Sequence, residues 1–165
     1  MINFIVNNVE KSFQVFSDIP GWETTGGGTI PVNLCVTNLK PDIVIVDSQK
    51  KQLHIFELTC PMTANIEKRN LEKSKKYALF TRDITGMTCT VNCFEVSSTG
   101  FISTRNKSTL NTLYKFIRKD MKKSTFLKNL NSLAWCMVYG SYKIWLTRDE
   151  PSFAEPPFLI PDFTY

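Results

Sequence analysis

Two acidic residues and a lysine stand out for their spacing. Asp42 follows Lys40-Pro41 at the head of an apolar run, DIVIVD, and Glu57 lies near the end of a second one, QLHIFELT. Side chains alternate across a strand, so Leu53, Ile55, Glu57 and Thr59 share one face, and His54, Phe56, Leu58 and Cys60 share the other. Glu57 therefore falls on an otherwise apolar face. A carboxylate there must be hydrogen-bonded, paired with a cation or bound to a metal, because burying it unpaired costs several kcal/mol. If the two runs form a hairpin, Asp42 enters at the end where it meets Glu57. Two close carboxylates repel unless a cation lies between them, and hard oxygen ligands suit Mg²⁺ or Mn²⁺. Downstream, Arg69, Lys73 and Tyr77 are spaced i, i+4 and i+8, on one face of a helical stretch. Packed on the Glu57 side of the sheet, that helix brings Lys73 towards the acids. Two acids holding a metal, with a lysine beside them, are a complete set for phosphodiester hydrolysis. The metal activates water and offsets phosphate charge, and the lysine positions or polarises the nucleophile.

The elements that must position these residues can be read from periodicity. Residues up to about 19 suggest a short helix or a pair of strands, with Phe13, Val15 and Ser17 alternating against Gln14 and Phe16. PGWETTGGGTIP, from Pro20 to Pro31, reads as a turn and loop; its three glycines match neither a P-loop nor a dinucleotide pattern. Residues 42 to 59 read as a hairpin turning at SQKK, ended by Pro61, which lacks a backbone donor. About Ala64 to Thr81 reads as a helix with Ile66, Leu71, Ala78 and Leu79 inward. Met87 to Val96 returns to a strand pattern that Gly100 closes. Helices follow over about 108 to 119 and 124 to 140, with Ser108, Thr109, Ser124 and Thr125 as N-cap candidates. The order predicts an α/β domain with a mixed sheet over residues 1–150. A Pro-rich tail, 151–165, follows as an extended segment that packs through Phe153, Phe158 and Phe163 or docks a partner.

A chain of 165 residues suits one core, and 42% hydrophobic with 21% charged residues is a globular balance. No apolar run approaches the ~20 residues of a membrane span, and the N-terminus lacks a signal-peptide layout. The expectation is a soluble intracellular protein with no membrane partner. Five scattered cysteines without a CxxC pair argue for reduced thiols. Cys89, Cys93 and His54 lack the tighter paired spacing of a structural zinc site. Charge is unevenly spread. Residues 102 to 128 carry eight basic residues against Asp120 alone, a net +7, whereas the rest holds 12 basic and 14 acidic residues. Such a local positive field fits either a polyanion such as nucleic acid or a solvated helix face.

Lys40-Pro41-Asp42, fourteen intervening residues and Glu57 resemble the PD-(D/E)XK nucleases, particularly the restriction-like endonuclease domain of non-LTR retrotransposons. The likeness continues through Glu57-Leu58-Thr59-Cys60-Pro61 and the KxxKY element Lys73-Ser74-Lys75-Lys76-Tyr77, so it covers about residues 40 to 80. It implies a restriction-endonuclease-like mixed sheet flanked by helices and a Mg²⁺- or Mn²⁺-dependent DNA endonuclease. Asp42, Glu57 and the Leu58 backbone carbonyl would hold the metal, with Glu23, Asp18 or Glu10 as the further acid. Thr59 departs from the pattern, standing where most of the superfamily has its catalytic lysine. In related nucleases that lysine can move to the next helix, which points to Lys73, then Lys76. Lys73 and Tyr77 are also similar in spacing to a helical QxxxY element. The resemblance places DNA against Lys40, Arg69, Lys115, Arg118, Lys119, Lys122 and Lys123, in the nucleus or wherever the DNA target lies, with a homodimer allowed. A second reading stays open beside it: a non-catalytic nucleic-acid-binding or assembly module derived from such a nuclease, for which Thr59 is the sequence argument.

Overall fold

A computed structural model describes residues 2–17, 39–83 and 86–148 of the chain. It is a mixed α/β structure. In chain order the elements are α1 (Ile2–Asn8), β1 (Gln14–Phe16), β2 (Ile43–Asp47), β3 (Gln52–Thr59), a 3₁₀ turn (Thr63–Asn65), α2 (Ile66–Asp83), β4 (Thr88–Glu95), α3 (Asn106–Tyr114) and α4 (Lys123–Thr147). The four strands form one sheet in the order β1-β2-β3-β4. β1, β2 and β3 are antiparallel neighbours, and β4 runs parallel to β3. A parallel neighbour requires a crossover, and α2 supplies it.

The expected hairpin forms, and its register decides the site. Ile43 pairs with Phe56 as the last rung of the β2–β3 ladder, so Asp42 and Glu57 stand opposite each other one step beyond it. At the other end the turn is held by Asp47, whose Oδ1 accepts the Lys50 N–H at 3.0 Å. That bond keeps the Asp47 carboxyl below its ordinary range.

Alternation divides the core between two sheet faces. One face carries Val15, Ile43, Ile45, Phe56, Phe94 and Val96 and is covered by Ile5, Leu113, Phe116, Ile117, Phe126 and Leu130 from α1, α3, α4 and the α3–α4 turn. The other carries Phe16, Val44, Val46, Leu53 and Ile55, and Tyr77 of α2 packs on it. His54 belongs to the first face, its ring 4.7 Å from that of Phe116. Cys89 and Cys93 lie on the second, so the sheet separates them from His54.

Three expectations about the helices are corrected. On α2, Ile66 is buried, but Leu71 is 55% exposed and Ala78 is exposed; the side chain of Leu79 lies outside the described residues. The inward stripe is instead Ile66, Asn70, Lys73 and Tyr77, with polar residues at its centre that an apolar-period search passes over. α3 and α4 begin before the proposed caps, with Arg105 and Lys122 at the N-cap positions and no side-chain cap bond. Thr109 sits inside α3, where its hydroxyl donates to the Cys93 carbonyl at 3.0 Å. The expected glycine loop at 20–31 and the tail at 151–165 lie outside the described residues.

Beside Thr109, Asn106 fastens α3 along β4. Its Oδ1 accepts the Glu95 N–H at 3.1 Å and its Nδ2 donates to the Glu95 carbonyl at 2.6 Å, so the amide acts as a short partner strand. Asn106 is fully buried. Asn106→Ala leaves both groups unpaired away from water and is expected to cost about 3 kcal/mol, read as a lower urea midpoint at unchanged slope.

Candidate functional site

The site lies where the β2–β3 hairpin opens. Past the last rung, each carboxylate takes over a backbone donor from the opposite strand: Leu58 N–H donates to Asp42 Oδ2 at 2.7 Å, and Asp42 N–H donates to Glu57 Oε2 at 3.3 Å. The ladder thus ends in a reciprocal side-chain clamp. Opposed residues in an antiparallel pair place their Cβ atoms about 5 Å apart, which brings the acids together on one face. Ser17 extends the same end of β1, its hydroxyl donating to the Asp42 carbonyl at 2.9 Å.

α2 closes over this pair. Lys73 Nζ forms an ion pair with Glu57 Oε1. Tyr77, fully buried, donates its hydroxyl to Glu57 Oε2 at 2.8 Å and lies 3.4 Å from the Lys40 carbonyl. Glu57 is only 2% exposed, so both of its oxygens are satisfied by protein donors. Burial and the adjacent carboxylate push the Tyr77 phenol far up, which keeps it a donor and makes it a positioning residue. Burial, then the charge of Glu57, also raises the Asp42 carboxyl, outweighing the Leu58 N–H that favours its ionised form. Lys73 and Lys76 each lower it by less than burial raises it.

The other predicted site residues are distributed unevenly. Lys76 is exposed, with Nζ 3.2 Å from the Tyr77 hydroxyl and 4.8 Å from its ring centroid, so it touches Glu57 only through Tyr77. Lys40 is exposed beside Asp42 and contributes its carbonyl. Arg69 turns away from the acids and pairs with Glu72 at 2.7 Å. The Leu58 amide, rather than its carbonyl, makes the contact with Asp42. Glu10 lies beside the α3–α4 turn, its N–H donating to the Phe116 carbonyl at 2.8 Å. Glu23 and Asp18 lie outside the described residues. Lys115, Arg118, Lys119, Lys122 and Lys123 are exposed, and their segment follows α3 on the sheet face opposite Glu57. Two of these cations engage locally: Arg118 with Asn8 and Asp120, and Lys123 with Asn111.

Asn70 and Glu95 were missed by sequence reasoning. Glu95 is fully buried on β4, paired in register with Thr59, and Asn70 donates to its Oε1. Its Oε2 and the Thr59 hydroxyl are buried without a hydrogen-bond partner among the described residues. The alternation that singled out Glu57 also places Glu95 among inward-facing residues, and extending the Tyr77–Lys73 stripe back one turn reaches Asn70.

The donor set fits a hard divalent cation. Two carboxylates face each other, and each carboxylate oxygen has two lone pairs. Comparison of the chain with protein-family models, curated proteins and solved structures found no match. No helix among the described residues is long and apolar enough to cross a membrane.

The two charged partners of Glu57 should respond oppositely to mutation. Lys73→Met strands a buried carboxylate and is expected to cost roughly 2–3 kcal/mol in urea unfolding, below the ~3–5 of a fully enclosed pair because Lys73 is 29% exposed. Asp42→Asn keeps an acceptor for the Leu58 N–H and removes a disfavoured charge, so at pH 7 it unfolds at no lower urea than wild type. As pH falls towards 3.8 the wild type gains on that variant, because its Asp42 carboxyl takes up a proton in the folded state before the unfolded chain does.

Proposed function

We propose that this chain is a Mg²⁺- or Mn²⁺-dependent DNA endonuclease of the restriction-endonuclease-like type. The observation that carries the reading is Asp42 opposite Glu57 at the open end of a hairpin, with Lys73 of the following helix on Glu57. A mixed four-stranded sheet with helices on both faces agrees with the fold that the sequence resemblance implies. The location of Lys73 also supports the migrated-lysine reading: it reaches the buried acid from α2, whereas the Thr59 hydroxyl on β3 is buried without a partner among the described residues.

Asp42 and Glu57 would hold the cation, whose chemistry there would be to offset phosphate charge and activate water. Lys73 neutralises part of the carboxylate charge and holds Glu57 in place, and its side chain is only partly covered, 29% exposed. Tyr77 fixes the second Glu57 oxygen, and the Leu58 N–H orients Asp42. Lys76, through the Tyr77 hydroxyl, is a secondary positioning group. The exposed cations of the α3–α4 segment add a sequence-independent attraction to nucleic acid.

One observation favours the alternative, a non-catalytic module. Every Glu57 oxygen already meets a protein donor, as in a purely structural ion pair. Incubation with supercoiled plasmid and Mg²⁺ or Mn²⁺ separates the two readings. Nicking that falls at least about a hundredfold in Asp42→Asn and Glu57→Gln supports the endonuclease. Cleavage that is absent, or equal in those variants, selects the module.

A further inference from the structure

Glu95 meets the same constraint as Glu57 without the same set of partners. It is fully buried at the end of β4; Asn70 donates to its Oε1, and its Oε2 has no hydrogen-bond partner among the described residues. The residue paired with it across the β3–β4 ladder is Thr59, whose hydroxyl is also buried without a partner among the described residues. Paired neighbours in a sheet carry their side chains on the same face, so two unsatisfied oxygens stand side by side on the face that α2 covers. A donor able to serve both would relieve the cost of burying them unpaired.

Such a donor lies one helical turn away. Glu57 is in register with Cys93, so Glu95 sits one strand over and two residues further along, its Cα about 8 Å from that of Glu57. α2 spans both acids: Asn70 reaches Glu95, and Lys73, three positions later, reaches Glu57. Residues so spaced on a helix have Cβ atoms about 5–6 Å apart, and lysine carries its ammonium, with three donors, on a flexible four-carbon stem. Cys93 lies between the two acids. Burial raises its thiol, Glu95 and Glu57 raise it further, and Ser74 and Lys73 lower it, so the sulfur is within electrostatic reach of both carboxylates and of the ammonium.

Of the three donors on Glu57, Tyr77 and the Asp42 N–H share Oε2 and Lys73 takes Oε1. Only Lys73 carries a full positive charge, so it is the donor repelled by a divalent cation on the pair. Resting on the nuclease reading and deepening it, we infer that Glu95 is a positioning residue for the Asp42–Glu57 site: when the pair takes up a divalent cation, the Lys73 ammonium passes from Glu57 Oε1 to Glu95 Oε2 and the Thr59 hydroxyl. The move frees an oxygen of Glu57 for the cation, while Tyr77 and the Asp42 N–H keep that carboxylate in place. It also satisfies both unpartnered oxygens and keeps the ammonium beside the site.

The test is a double-mutant cycle on Mn²⁺ affinity, measured by titration calorimetry on the full chain. Glu95→Gln keeps an acceptor for Asn70 and is expected to weaken Mn²⁺ binding about 10- to 100-fold. In the Lys73→Met background the same change should alter affinity by no more than about twofold, because no ammonium needs the second position. Unchanged affinity in Glu95→Gln overturns the inference alone, and so does equal weakening in both backgrounds, which a distant charge would give. No Mn²⁺ binding by the wild type overturns the nuclease reading and the inference with it. A second measurement needs no metal. Asp42→Asn with Glu57→Gln neutralises the pair and keeps its hydrogen-bond acceptors, and its crystal structure should show Lys73 Nζ within ~3.2 Å of Glu95 Oε2. Lys73 turned to solvent, or a water in its place at Glu95, overturns the inference and leaves the nuclease reading standing.

Discussion

Glu57 is the constraint around which the rest is arranged. A carboxylate 2% exposed on a sheet face otherwise made of Val44, Val46, Leu53 and Ile55 would cost several kcal/mol if unpaired. Three donors from three places meet it: the Asp42 amide across the hairpin, Lys73 on α2 and Tyr77 one turn later. Each donor is useful only if its element is in register. The charge therefore specifies how the hairpin ends and how α2 is rotated. Among the described side chains of α2, Ile66 and Tyr77 are the buried hydrophobic ones, worth about 1.5–3 kcal/mol each on burial. Breaking one buried ion pair costs a comparable amount.

The same layer extends to the edge of the sheet. Asn70 reaches Glu95 on β4, and Asn106 holds the backbone of Glu95 from the other side. α2, β4 and α3 are thereby linked through one buried acid, and the exposed Glu67–Arg105 pair at 2.8 Å joins the starts of α2 and α3. An exposed pair of this kind adds little stability. The buried contacts matter more, because leaving any one polar group unmatched away from water costs more than a neutral hydrogen bond gains.

Much of this was legible in the sequence because strands are short, alternating and bounded by turn residues. Pro41, the SQKK turn and Pro61 bracketed β2 and β3, and alternation alone placed Glu57 on the inner face. The parallel pairing of β4 was not legible, since strand order depends on where α2 crosses and not on the composition of TCTVNCFEV. The Asn70 contact was hidden for a different reason: a polar residue inside a helix reads as solvated until the carboxylate opposite it is known. Arg69 was placed with Lys73 by i, i+4 spacing, yet the real stripe runs Ile66, Asn70, Lys73, Tyr77, with Arg69 displaced to the solvent side. At α3 the Thr109 cap assignment failed because Thr109 bonds to β4, a tertiary contact that outweighs capping propensity.

The central claim is that the Asp42–Glu57 pair exists to hold a divalent cation, with Lys73 supplying part of the same charge. The most direct measurement is anomalous diffraction from crystals of the protein soaked in Mn²⁺. The account predicts a manganese peak within ~2.0–2.6 Å of oxygens from both carboxylates, absent from Asp42→Asn crystals. Full Mn²⁺ exposure with no peak at the pair, and the Lys73–Glu57 contact unchanged, would contradict it.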